Sequence, residues 1–104
     1  NYIPKEIQLK IELARVLYKN PKMILFDSDL HYLKEEEKRE ILKYFVEEMK
    51  ETAIVFNTMS LYTVNLCNKL LHLYNSESTF YYNISQALNN MQVRNLLIND
   101  AGPC

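Results

Sequence analysis

The chain has 104 residues, enough for about one small domain with a modest core. Its 48% apolar and 24% charged side chains exclude a disordered chain, and a net charge of −1 leaves no electrostatic footprint for nucleic acid or anionic lipid. The longest aliphatic or aromatic runs reach only about four residues against the ~20 that a bilayer crossing requires, no secretory signal opens the sequence, and two widely spaced cysteines, Cys67 and Cys104, fit a reducing compartment better than a disulfide scaffold.

Pro4 suits a helix first turn, and Ile7, Ile11, Ala14 and Tyr18 then recur at helical spacing until Lys19-Asn20-Pro21 stops the helix. Residues 22–27 form a short apolar run ending in Asp27, readable as a strand buried on both faces. Residues 28–33 read as a loop. Residues 34–51 are strongly helical: Ile41, Leu42, Phe45, Val46 and Met49 share one face, and Glu35, Glu36 and Glu37 complement the helix dipole at its start. Residues 52–56 are a second apolar strand. Ser60 is placed to N-cap a helix reaching Asn68. Leu70 to Tyr74 is a third strand, Asn75 to Ser78 a turn, and Thr79 to Tyr82 a short edge strand. Two short helices, 84–90 and 92–98, follow. Alternating helices and strands predict an α/β fold with a mainly parallel sheet of three strands and helical crossovers. In such sheets ligands bind beyond the carboxyl ends of the strands, where Asp27 and the segment Asn57 to Ser60 stand.

Gly102 is the single glycine, so no glycine-rich, phosphate-cradling loop can be drawn. His31 and His72 have no ligand partner at helix spacing and read as surface or interface residues. Lys34 to Arg39 read as a solvated face, Cys67 as a small core residue, and Tyr81-Tyr82 as edge-strand packing. The chain opens on Asn1 and not on Met, which points to a fragment or a processed product. Asp27 alone is weak evidence for a magnesium site, because many strands end in an Asp that caps the following turn.

The context is more specific. The stretch from Ile11 to Asp27, with Leu13-Ala14-Arg15, Pro21 and the apolar Met23-Ile24-Leu25-Phe26 before Asp27, closely resembles the segment of ABC-transporter ATP-binding domains that joins the signature helix to the Walker B strand. The resemblance extends less strongly from about Ile3 to Leu88. It implies a partial P-loop NTPase-like, three-layer fold that lacks the phosphate-loop strand. On this division residues 1–83 form the C-terminal half of such a domain and 84–104 its closing helices and tail. It also implies that Asp27 is the acid that helps hold magnesium and nucleotide.

The other positions depart from the family's pattern. Ser28 stands at the catalytic-glutamate position, and a hydroxyl is not a competent base near neutral pH; general-base help is typically worth ~10²–10⁴-fold. Met59 stands at the switch-histidine position and cannot donate a hydrogen bond to a γ-phosphate. Lys34 replaces the D-loop aspartate. Ile3-Pro4-Lys5-Glu6-Ile7 falls where the signature motif would offer a serine and two glycines. The resemblance therefore implies a degenerate nucleotide-binding-domain fragment with no intact catalytic residue and no cofactor of its own. It would be structural in a transport complex, cytoplasmic, and joined to a partner ATPase domain or a membrane subunit. Two other readings stand beside it. One is an interaction or regulatory module that keeps part of the fold. The other is half of a composite site, which would take Mg-ATP if another segment supplied a phosphate loop.

Overall fold

The computed structural model describes residues 2–27, 30 and 32–100. The chain forms two compact units, Asn1–Asn57 and Thr58–Cys104.

In the first unit, α1 spans Lys5–Lys19. Pro4 precedes it, and its carbonyl accepts the amides of Ile7 and Gln8, both at 3.0 Å. Asn20 ends the helix in the left-handed region (φ 47°) and returns its amide to the Val16 carbonyl, after which Pro21 forbids continuation. β1 (Met23–Phe26) and β2 (Ala53–Phe56) pair in parallel, Met23 opposite Ala53 and Phe26 opposite Phe56. Between them runs α2 (Glu35–Glu48), which begins without a side-chain cap but with Glu35, Glu36 and Glu37 in its first turn, each worth about 0.3–1 kcal/mol against the dipole. The sheet ends are tied by the Ala53 amide on the Lys22 carbonyl and the Asn57 amide on the Phe26 carbonyl, both at 2.9 Å. Phe26 centres the core: Phe45 meets it edge to face at 5.2 Å, and Phe56 stacks on it at 5.1 Å. Leu13, Ile24, Leu30, Leu33, Leu42 and Met49 are buried in the same unit.

The expectation that the first strand is buried on both faces is corrected. Ile24 and Phe26 are buried, while Met23 and Leu25, on the opposite face, are 62% and 66% exposed. Strand residues alternate between faces, and the aromatic packing of α2 covers only one of them.

The second unit holds α3 (Leu61–Leu66), β3 (Leu70–Tyr74), β4 (Glu77–Tyr81), α4 (Ile84–Asn89) and α5 (Met91–Leu96). β3 does not extend a parallel ladder. It pairs antiparallel with β4, Leu70 opposite Tyr81 and Tyr74 opposite Glu77. The cause is local: Asn75 (φ 47°) and Ser76 (φ 65°) make a two-residue turn with both central φ positive, the geometry that folds a strand straight back on itself. The four-residue turn expected here shortens accordingly, and β4 starts at Glu77. Asn83 and Asn90 accept first-turn amides of α4 and α5 with their side-chain oxygens. Among the described residues of this unit, Val64, Ala87 and Val93 are the buried apolar ones, and Thr63 is buried as well. The architecture is thus mixed α/β, with one parallel pair and one antiparallel pair of strands.

Candidate functional site

The candidate site lies at the carboxyl edge of the parallel pair. Asp27 follows β1 and Asn57 follows β2, and the ladder register brings them side by side: Asn57 Nδ2 donates to Asp27 Oδ1 at 3.3 Å. The amide must turn its nitrogen to the carboxylate, which has nothing to donate. Asn57 was not singled out in sequence for this role, because the pairing spans 30 positions and depends on strand register. Ser28, Asp29 and His31 lie outside the described residues.

A magnesium ion takes about six oxygens in near-octahedral geometry. Here one carboxylate stands beside an amide N–H that already points at it. Among the described residues no three His, Cys, Asp or Glu side chains come together in a form that could hold a metal.

Lys34 sits exposed at the N-cap of α2, with no side-chain cap bond. Two turns of the first unit meet near it in an ion-pair network: Lys10 Nζ lies 2.7 Å from Glu37 and 3.2 Å from Glu6. The Glu37 hydrogen bond, then that of Glu6, holds the Lys10 ammonium above its ordinary range, and the Lys10 hydrogen bond holds Glu37 below the usual carboxylate range. Glu6, at the signature-aligned stretch, is therefore engaged with a lysine of its own helix. Ile3, Pro4, Lys5 and Ile7 are exposed there, with Pro4 as the helix N-cap.

In the second unit, Met59 is exposed, and its carbonyl accepts the Ile98 amide at 2.6 Å. Ser60 caps α3 as read from sequence, its hydroxyl accepting the Thr63 amide at 3.1 Å. The same hydroxyl donates to Asp100 at 2.6 Å, a partner that sequence reading missed. Cys67 is half-buried, donates to the Thr63 carbonyl at 3.4 Å, and burial pushes its thiol pKa up, as fits a packing residue. His72 stacks on Tyr74 at 6.0 Å between ring centres, and Tyr82 packs edge on to Phe80 at 4.6 Å. Cys104 and Gly102 lie outside the described residues.

No helix among the described residues is long and apolar enough to cross a membrane. No family model, curated protein or solved structure matches this chain.

Proposed function

We propose that the chain is a catalytically silent C-terminal half of an ABC-type ATP-binding domain, acting through association with a partner ATPase domain or a transporter's membrane subunit on the cytoplasmic side. The observation that carries this reading is the helix–strand–helix–strand frame of the first unit, with Asp27 at the carboxyl edge of a parallel strand pair and Asn57 beside it. That is where an acid would meet a nucleotide in such a sheet. The proposal includes a fuller P-loop NTPase-like sheet, whose phosphate-loop strand and further parallel strands come from another segment. A composite site able to take Mg-ATP would then need that segment to supply the phosphate-binding donors, and hydrolysis would still lack an acid at Ser28.

A specific observation favours a second reading, that of an interaction module. Met23, Leu25 and Val55 expose one apolar face of the parallel pair, and an open groove of about 290 Å³ between α1 and α2 is floored by Leu13, Ala14, Leu17, Ile41, Tyr44 and Phe45. Apolar surface left open on a small sheet is a binding liability or a binding site.

Sedimentation velocity separates these readings. The chain is run alone and with a phosphate-loop half of an ABC ATP-binding domain supplied in trans. The structural reading expects a complex with that half. A chain that stays monomeric in its presence contradicts it.

A further inference from the structure

The first turn of a helix leaves its leading amides without intrahelical acceptors. At α3 all of them are occupied, and half of the acceptors come from the far end of the unit. The Ser60 amide goes to Thr58 Oγ1 at 3.0 Å, and the Thr63 amide to Ser60 Oγ at 3.1 Å. The Leu61 amide goes to the Ile98 carbonyl at 3.0 Å, and the Tyr62 amide to Asp100 Oδ1 at 2.9 Å. The second oxygen of Asp100 accepts the Ser60 hydroxyl proton at 2.6 Å, across 40 positions of sequence. The Ile98 amide returns to the Met59 carbonyl, and Ser60 and Ile98 form a parallel bridge.

This segment is held by polar contacts more than by burial. The Ile98 side chain is 65% exposed and Asn99 is exposed, whereas Ala87 and Val93 in the neighbouring helices are buried. Hydrogen bonds with little apolar cover open at lower free energy than a packed core. The Asp100 charge is also placed where a helix N-terminus favours an anion. The Ser60 hydroxyl has one proton, which goes to Asp100, and its lone pair takes the Thr63 amide, so the carboxylate and the α3 cap are wired through a single oxygen.

We propose that residues 97–100 are a latch on residues 59–62, closed by the Asp100 carboxylate on Ser60 and Tyr62, and that it opens and closes as one local unit while α4 and α5 stay folded. Its opening frees the Met59 carbonyl and two first-turn amides of α3, so the latch controls the conformation of the segment after β2. This holds whether or not the chain is ABC-like.

Amide hydrogen exchange, resolved by residue on the full chain, tests it. In Asp100→Ala the Leu61, Tyr62 and Ile98 amides should exchange faster together, by about 10–100-fold, the range expected for losing hydrogen bonds to a charged group. The Ala87 and Arg94 amides, which are bonded within α4 and α5, should keep their wild-type rates. Asp100→Asn, which keeps an acceptor but loses the charge, should give a smaller rise at the same three amides. In Ser60→Ala/Asp100→Ala the combined rise at Tyr62 should fall well short of the product of the single effects. The proposal is overturned if Tyr62 accelerates while Leu61 and Ile98 do not, since Asp100 is then only a cap. It is equally overturned if Ala87 and Arg94 accelerate as much as Tyr62, or if none of the amides respond.

Discussion

Phe45 is the residue on which the first unit should most depend. Its side chain is 1% exposed and meets Phe26 edge to face at 5.2 Å, and Phe26 in turn stacks on Phe56, so one ring joins α2 to both strands of the parallel pair. Truncating a buried Phe to Ala costs about 3–5 kcal/mol, of which the lost edge-to-face pair accounts for ~0.5–1.5. A unit spanning residues 1–57 has a total stability of roughly 3–9 kcal/mol at the usual 0.05–0.15 kcal/mol per residue. Phe45→Ala should therefore remove at least about a third of that stability, and at the low end of the range all of it. Phe45→Leu keeps most of the volume and should cost less, on the order of 1–2 kcal/mol. Tyr44→Ala is an internal control: the neighbouring ring is 52% exposed, and its loss should cost less than about 1 kcal/mol. Urea unfolding followed by far-ultraviolet circular dichroism and tyrosine fluorescence reads all three. A loss under about 1 kcal/mol for Phe45→Ala, or one no larger than for Tyr44→Ala, would refute the packing argument.

Ser76 pays for its left-handed φ of 65° in the β3–β4 turn, where a glycine carries no Cβ penalty; Ser76→Gly should stabilise the hairpin by about 1 kcal/mol, measured as a higher urea midpoint, and a lower midpoint would contradict the turn geometry. Cys67 should be alkylated slowly by iodoacetamide near neutral pH and much faster in urea, read by peptide mass so that Cys104 is counted separately. Because burial raises its pKa above the ordinary 9.0, its contribution to stability is fully present below pH 9.0 and lost as pH rises through the raised value, so Cys67→Ser should flatten the alkaline limb of the stability profile.

Local chemistry was the legible part of this fold. Pro4, Asn20-Pro21 and Ser60 each act on residues within one turn, and each sits at the helix boundary that its chemistry predicts. Leu70 to Tyr74 reads as a strand for the same reason, yet nothing in those five residues names a ladder partner. The turn that chooses it, Asn75-Ser76, contains no glycine to announce two positive φ values, so an antiparallel hairpin forms where a third parallel strand was expected. Met23 and Leu25 are as apolar as Ile24 and Phe26, so composition could not show that their face lies open. The polar contacts that local spacing misses are long in sequence: Asp27 with Asn57 across 30 positions in the first unit, and Ser60 with Asp100 across 40 in the second. Such pairs are set by strand register and by the path of the chain, and no spacing rule reaches them.

The proposed function gives the chain the frame of an ATP-binding half without its hydrolytic chemistry. It is tested most directly by magnesium-dependent phosphate release from ATP, measured on the pure chain beside Asp27→Ala. Neither protein should release phosphate above buffer, since on the proposed ABC-like reading Ser28 and Met59 stand where that family has the groups that activate water and read the γ-phosphate. Turnover by the native chain that disappears in Asp27→Ala would contradict it.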